Sequence, residues 1–542
     1  MTSKLKNLPV GVQTFSEIIK GSFVYVDKTK EIYDLISRPK GAYFLSRPRR
    51  FGKSLLVSTL ESIFRNEREL FKGLWIDSSD YEWSEYPVIK LDISAVDKNT
   101  VDELKNGLKR LLIKVAAKYD ISLENLSPSE MFSDLISALS EKYKKKVVVL
   151  IDEYDDPIIK HLAKSEIALE MRDTLHDFYK IIKSEDANIR FVFLTGVSKF
   201  SRTSIFSGLN NLSNISMNEK YTSVLGITQE ELEYNFSDYL DLVAAKHKVS
   251  KPALIKDVKY WYNGYRFSES EITVYNPFST LSFFDNMKFS NFWFASGTPT
   301  YLVNLIKKYN PDLAEYEREI EVTSSFLDSY NVENVSLVAL LYDTGYLSIK
   351  DYSVRNNLTR YELAYPNFEV KTSLTESFLQ IYVDESRPER IGAVTERLEN
   401  LILSNQLTEF MNLLKSYFAS IPYELIPVKT LDEKYFHLVF YLLMRVTSFR
   451  VNIEDRSSSG RIDLVLENDT NIYIFEFKVD ETAQIALKQI KEKKYYEKYL
   501  NTPILKQVSS LNMSLKKIHL VGINFSSKER NINEYLVEEM AG

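Results

Sequence analysis

The 542-residue chain contains no cysteine. Disulfides, cysteine-ligated zinc ribbons and thiol nucleophiles are therefore excluded. Histidine is scarce as well: five residues are too few to suggest a histidine-rich metal centre. No apolar run reaches the roughly 18 residues that would span a bilayer, and the opening MTSKLKNLPVGVQTF lacks the apolar core of a secretory signal. These absences lead to the expectation of a cytoplasmic protein with no membrane partner. Net positive charge is missing too: the balance is -6, with a sequence pI of about 5.7. The chain as a whole does not attract nucleic acid, so any such contact must come from a local patch. Short-period repeats and low-complexity segments are absent.

What is present is the composition of an ordinary globular chain, 44% hydrophobic and 27% charged. The 13% aromatic content argues against long disorder. As a prior, the length suggests roughly three or four domains.

One further absence is local. Residues 41–64 read GAYFLSRPRRFGKSLLVSTLESIF. A phosphate-binding loop reads G-x-x-x-x-G-K-[ST]. Gly52, Lys53 and Ser54 supply its end, but Arg47 stands where the first glycine belongs, followed by Pro48, Arg49, Arg50 and Phe51. Ala42 to Leu45 reads as a buried strand. Ser54 to Phe64 carries Leu55, Leu56, Leu60 and Ile63 at helical spacing. A strand, a loop and a helix N-terminus are the context in which unpaired N–H groups and the helix dipole favour a phosphate. Lys53 is then placed to reach the β- and γ-phosphates, and the Ser54 hydroxyl to hold Mg²⁺.

Such a site needs an acid at the end of a second buried strand. "KKKVVVLIDEYDDPI" supplies it: Val147 to Ile151 is β-branched at four of five positions, as in a parallel sheet covered on both faces. Asp152 suits the metal role, and Glu153 the orientation or deprotonation of the attacking water. Tyr86 to Ser94 reads as another strand. A fourth, Arg190 to Leu194, ends at "TGVSK", where Thr195 or Ser198 is placed to sense the γ-phosphate.

A second constellation lies in "SSSGRIDLVLENDTNIYIFEFKV". Ile462 to Leu466 and Ile472 to Val479 read as strands. Asp463 sits near the start of the first. Glu476 and Lys478, two apart on the second, share a face. This is the D…ExK core of PD-(D/E)XK nucleases: two carboxylates, Asp463 and Glu476, to hold Mg²⁺, and Lys478 beside the attacking water. The naming proline is replaced by Ile462. Upstream, "LDEKYFHLVFYLLMRV" reads as a helix with Glu433 near its start. Downstream, "ALKQIKEKKYYEKYL" reads as a helix carrying Gln489 and a local basic patch of Lys488, Lys491, Lys493, Lys494 and Lys498, suited to a phosphate backbone.

Between these regions the signals are structural. Thr228 and Glu231 form a capping-box pattern. "WYNGYRF" reads as a turn at Asn263-Gly264 inside core aromatics. Ile391 to Leu403 and Leu407 to Phe418 read as amphipathic helices of a connector or lid.

Several segments together carry a family resemblance: "LPVGVQTFSEIIKGSFVYVDKTKEIYDLI", "FLSRPRRFGKSLLVSTLESIF", "VVVLIDEYDDPI", "FLTGVSKFS", "WYNGYRF", "VYNPFS" and "FWFASGTPTYL". In these the chain resembles the bacterial AAA-ATPase-like proteins in which the ATPase region is joined to a C-terminal PD-(D/E)XK nuclease-like domain. The resemblance implies a multi-domain α/β fold: an AAA-like P-loop domain over residues 1–220 (a parallel sheet with helices on both faces), a helical lid or connector over 221–425, and a nuclease-like α/β domain over 426–542. It implies ATP as the nucleotide, since no guanine-reading NKxD follows the loop. It implies that an arginine-rich loop without the first glycine is normal in this family, so that Arg49, Arg50, Phe51 and Leu55 join Gly52, Lys53 and Ser54 in the nucleotide site, with Arg49 or Arg50 a candidate arginine finger. It also implies that a helix-borne Glu433 can complete the C-terminal metal site. The expected activity is ATP-Mg²⁺-dependent, with metal-dependent cleavage of nucleic acid, DNA foremost. A non-cleaving, nucleotide-switched regulator that binds nucleic acid or protein is the alternative, and a homo-oligomer is left open.

Overall fold

The computed structural model describes residues 5–162, 164–199, 211–295, 320–328, 336–382, 388–421, 433–447, 449–457, 460–500, 502 and 515–540. They group into two compact units, one running to Lys371 and the other beginning at Thr372.

The first unit is built on a five-stranded sheet: β1 (Gly41–Ser46), β2 (Val88–Asp92), β3 (Val147–Asp152), β4 (Ile189–Gly196) and β5 (Ser213–Asn214). Their order is β2-β3-β4-β1-β5, and every pair is parallel. Parallel pairing needs crossovers, and the helices that supply them cover both faces. Tyr43, Leu45, Val148, Leu150, Phe191 and Phe193 share one core with the helix Lys53–Phe64. The alternate residues Phe44, Val149 and Val192 are buried on the other face. Accordingly β3 is buried at all six positions, which explains its unbroken apolar run.

The order has a chemical consequence. β4 lies between the strand that feeds the loop and the strand that ends in Asp152, so three C-terminal strand ends converge on one edge. Ligands of open α/β sheets bind at that edge.

The segment after the sheet is helical, as its pattern suggests. The capping box of Thr228 and Glu231 opens the helix Gln229–Asn235. Helices Ser237–His247, Lys251–Tyr262 and Pro277–Asn286 pack a core with Val24, Val26 and Leu8 of the N-terminal segment. A small antiparallel sheet of β6 (Ile320–Thr323), β7 (Ser348–Arg355) and β8 (Leu358–Ala364), in the order β6-β8-β7, stands where only helices are expected from the sequence. Its strands are half-exposed and polar, and the apolar periodicity that announces a strand is weak.

The second unit carries the helices Pro388–Leu403 and Leu407–Ala419, then a five-stranded sheet. The sheet comprises β9 (Arg450–Ser457), β10 (Gly460–Glu467), β11 (Asn471–Val479), β12 (Lys517–Ser526) and β13 (Asn531–Met540), in the order β13-β12-β11-β10-β9. Its central pair, β11 with β12, is parallel, and the other pairs are antiparallel. Leu487 and Ile490 of the helix Ala483–Glu492 pack on Ile472, Ile474, Ile518 and Leu520. Phe440 of the helix Glu433–Arg445 covers the opposite face at Phe475 and Phe477. The downstream helix stops at Glu492, short of the span the sequence suggests, because Lys494 is left-handed and a 3-10 turn, Tyr495–Tyr499, follows.

Candidate functional sites

At the first site, the loop after β1 shows why a glycine is not needed at position 47. The left-handed residues of the loop are Arg50 (φ 68) and Gly52 (φ 93). Arg47 is not one of them, and its N–H donates to the Gly196 carbonyl, continuing the pairing of β1 with β4. Its side chain turns inward and is 2% exposed. The guanidinium donates to the carbonyls of Ser46 (2.9 Å), Ser216 (2.7 Å) and Tyr221 (3.3 Å) and lies 4.0 Å over the Phe267 ring. Burial lowers its pKa to about 10, still charged at neutral pH. Arg47 is thus a strut of the loop.

The other loop residues are held as firmly. Phe51 is buried edge-on against Tyr265 and Phe267. Arg50 lies 4.3 Å over the Phe278 ring. The Arg49 carbonyl accepts from the Trp293 indole at 3.1 Å, while its guanidinium sits 3.8 Å from Asp156. Gly345 leaves room for Pro48, since a Cβ there would come within 2.7 Å of the proline ring. The "WYNGYRF" aromatics are therefore core, and part of that core is the underside of the loop.

Within this frame Lys53 is 3% exposed and donates to the Arg47 and Pro48 carbonyls at 3.1 and 3.2 Å. Its ammonium lies 3.3 Å from Glu153. The Ser54 hydroxyl faces the Asp152 carboxylate and favours its charged form. Burial, and then the neighbouring Glu153 charge, push the Asp152 pKa up to about 6. Glu153 is itself left-handed (φ 51), an uncommon conformation for a non-glycine residue and one that clusters at functional sites. The sequence-predicted quartet of Lys53, Ser54, Asp152 and Glu153 is thus brought together. Thr195 is on the adjacent strand end, but its buried hydroxyl donates to the Leu45 carbonyl at 2.8 Å. Ser198 is likewise engaged: its hydroxyl and N–H both bond Asp155.

Asp155 is a residue the sequence reading passed over. It is fully buried, and it also accepts the Val197 N–H at 3.2 Å. Burial raises its pKa to about 7. It fixes the chain that leaves β4 beside Glu153. The signal was present as the third acid of "DEYDD", masked by the two acids before it.

Beside Gly52 opens an apolar cavity of about 110 Å³, lined by Phe51, Leu55, Val24, Val26, Leu225 and Ile227 among others. It joins the loop to the N-terminal segment and to the chain after β5.

The second site is assembled by one hairpin. Asp463 lies on β10, and its carboxylate accepts the Phe477 N–H at 2.8 Å. Phe477 is the residue between Glu476 and Lys478, so this one bond ties the first acid to the ExK tripeptide. Glu476 is 1% exposed; Lys478 approaches it to 3.5 Å, and the Gln489 amide donates to it. Gln489 therefore supports the acid rather than facing outward. Tyr495 lies beside Gln489, and burial together with the Glu476 and Asp463 charges raises its pKa. His437, also unremarked in the sequence, places Nε2 3.6 Å from Asp463 and packs its ring 4.5 Å from Phe477. Burial, and then the Lys478 charge, lower its pKa to about 3, so it is neutral at pH 7. Glu433 begins the same helix, one turn earlier, but its side chain lies outside the described residues.

Among the described residues no group of three His, Cys, Asp or Glu side chains forms a ready metal cage. The paired carboxylates Asp463 and Glu476 nevertheless present hard oxygen donors of the kind that suit Mg²⁺ or Mn²⁺. The surface lysines are matched by acids: Lys488 with Glu492, Lys491 with Glu538 and Lys494 with Glu497.

A P-loop-bearing parallel sheet and a D…ExK hairpin on a mixed sheet define the class: an AAA-like ATPase fold with a PD-(D/E)XK nuclease fold. Comparison with known families agrees. Residues 9–206 match the family described as "Predicted AAA-ATPase", and residues 431–535 match the PD-(D/E)XK nuclease superfamily. The chain is also 36% identical over 545 residues to a protein of Azotobacter chroococcum mcd 1 described as "Uncharacterized protein in vnfD 5'region", covering 99% of both chains. The chain belongs to this family of AAA-ATPase-like proteins with a C-terminal PD-(D/E)XK domain. Among the described residues no helix is long and apolar enough to cross a membrane.

Proposed function

We propose that the chain binds and hydrolyses ATP at the first site and cleaves nucleic acid, DNA foremost, at the second, with nucleotide state controlling cleavage. The observation that carries the reading is the quartet at the first site: buried Lys53 between two loop carbonyls and half-buried Glu153, beside half-buried Ser54 and buried Asp152. A triphosphate can take over the Lys53 ammonium from Glu153, which frees that carboxylate to orient water. The base of the nucleotide then has the apolar cavity beside Gly52, and Phe51 and Leu55 contribute through its wall. Arg49, at 45% side-chain exposure, is a loop cation that would turn toward phosphate. Ser54 and Asp152 would hold Mg²⁺, which would neutralise developing phosphate charge.

At the second site Asp463 and Glu476 would hold the divalent metal, which would activate water and stabilise the scissile phosphate. Lys478 would steady the charge beside them, and Gln489 would fix the Glu476 carboxylate. The basic helix Ala483–Glu492 would exchange its intramolecular acids for phosphates on binding. In the domain reading, residues 221–425 act as the lid that couples the two sites.

The test is to incubate the chain with Mg²⁺ or Mn²⁺, ATP and single- or double-stranded nucleic acids. Cleavage that is lost in Glu476→Ala and altered by ATP is expected. Absence of cleavage by the wild type, or undiminished cleavage by Glu476→Ala, would overturn it.

A further inference from the structure

We propose that Asp156 is a positioning residue for the phosphate loop: it holds the Arg49 guanidinium in reserve and yields it to the terminal phosphate when a triphosphate binds. The inference rests on the nucleotide-site reading above and adds to it the residue that decides where Arg49 points.

The main chain of Arg49 is pinned and its side chain is not. The Arg49 carbonyl accepts the Trp293 indole N–H at 3.1 Å. The Trp293 backbone N–H donates in turn to the fully buried Glu369 carboxylate at 2.8 Å. Pro48, just before, packs against Gly345, and Phe51, two residues on, is buried against Tyr265 and Phe267. The guanidinium, by contrast, is 45% exposed, and its 3.8 Å separation from the Asp156 Oδ1 is too long for a hydrogen bond. Such a pair holds weakly and is screened by salt. A phosphate can therefore win the side chain without moving the loop.

Asp156 is suited to release Arg49 as well as to hold it. Its other oxygen, Oδ2, accepts from the Lys98 ammonium. Lys98 lies in the loop after β2, and its ammonium also donates to the Ser94 carbonyl at 2.9 Å. The Lys98 carbonyl accepts the His161 Nε2–H at 2.6 Å, and Lys160 donates to the Asn99 side chain at 2.9 Å. The loop after β2 is thus clasped to the chain after β3 independently of Arg49. When Arg49 departs, Asp156 keeps a cation, so the exchange strands no half-buried charge.

The position of Asp156 selects the phosphate. Its N–H donates to the Glu153 carbonyl at 3.1 Å, which sets it beside the carboxylate assigned to orient water. The terminal phosphate, where that water attacks, belongs on this side. ADP lacks that phosphate, so the exchange of Arg49 bears on ATP alone.

The experiment titrates the full chain, with Mg²⁺ present, against ADP and a non-hydrolysable ATP analogue by calorimetry. Asp156→Asn, Arg49→Ala and the double variant are compared with the wild type. Asp156→Glu serves as the conservative variant and Lys53→Ala as the control for the site. Asp156→Asn is expected to bind the analogue about two- to fivefold more tightly, with ADP affinity unchanged. On the Arg49→Ala background the same substitution should change neither affinity, and Asp156→Glu should return the analogue to its wild-type affinity. Arg49→Ala by itself should weaken the analogue and leave ADP alone; equal weakening of both would overturn the transfer of Arg49 to the terminal phosphate, whether or not the Asp156 variants fold. A gain in Asp156→Asn that ADP shares, or that persists on the Arg49→Ala background, would be a general effect of removing a negative charge. It would overturn the role of Asp156 and leave the nucleotide site standing, as would a folded Asp156→Asn chain that binds the analogue no more tightly than the wild type. Analogue binding indifferent to Lys53→Ala would overturn the nucleotide site, and this proposal with it.

Discussion

The two sites bring together the same kinds of groups, acids and a lysine, by opposite routes. At the first, Lys53 and Glu153 come from positions a hundred residues apart. They meet because β1, β4 and β3 end at one sheet edge, and the loop between them is braced by aromatic residues from far along the chain. At the second, Asp463, Glu476 and Lys478 lie within one hairpin, and the Phe477 N–H donating to the Asp463 carboxylate ties them together. The first site has a rigid frame and a self-satisfied lysine. The second has a short-range frame whose acids are held by Phe477 N–H and the Gln489 amide. Long-range assembly makes the loop depend on packing that carries no chemistry, whereas local assembly leaves the hairpin dependent on its own few polar contacts.

That contrast can be tested from its strongest consequence downward. Glu476→Ala should abolish nucleic-acid cleavage while leaving ATP turnover intact, as measured in parallel on one preparation; equal loss of both activities would break the separation. Glu153→Gln should slow ATP hydrolysis by about 10²–10⁴-fold while equilibrium nucleotide binding persists, which single-turnover kinetics and titration would read.

Arg47→Gly restores the signature glycine, yet it should destabilise the fold by about 2–4 kcal/mol in chemical denaturation. The reason is that three carbonyls and the Phe267 face lose their partner. A gain in stability or in nucleotide affinity would show that the loop tolerates the common P-loop form and that the strut is dispensable.

An effect that is small per pH unit and spread over several units concerns Asp155. Burial raises its folded pKa to about 7 from the ordinary aspartate value of 3.8. Between those values the folded state keeps a proton that the unfolded state has released. Its contribution to stability is therefore full below about pH 4 and declines as pH rises toward 7, by at most about 1.4 kcal/mol per unit. Asp155→Asn should remove that slope in denaturation curves taken from pH 4 to 8.

Much of this was legible in the sequence, for physical reasons that differ by site. β3 announced itself because a strand covered on both faces must be apolar throughout, and Val147 to Ile151 is. Glu476 and Lys478 were readable because period-two alternation puts them on one face. The glycine-lysine-serine triplet marked the helix start. What sequence could not show was direction: nothing in "SRPRRFGKS" says that Arg47 points into the core while Arg49 stays half-exposed. Positive charge at a phosphate loop suggests phosphate, and the competing use, a buried cation capping carbonyls over an aromatic ring, has no linear signature. Gln489 was read as a nucleic-acid contact for the same reason, because its neighbours are lysines; the fold aims it at Glu476 instead. His437 was missed because a lone histidine on an apolar helix is ordinarily core. The sheet of β6, β7 and β8 was missed because its strands are short of apolar alternation.

The most direct measurement is a crystal structure of the full chain with a non-hydrolysable ATP analogue and Mn²⁺, using manganese anomalous scattering. Triphosphate density at the Lys53 ammonium and an anomalous peak between Asp463 and Glu476 are the predicted result. A fully occupied analogue bound away from Lys53, or manganese at saturating concentration with no peak at those two carboxylates, would contradict the account.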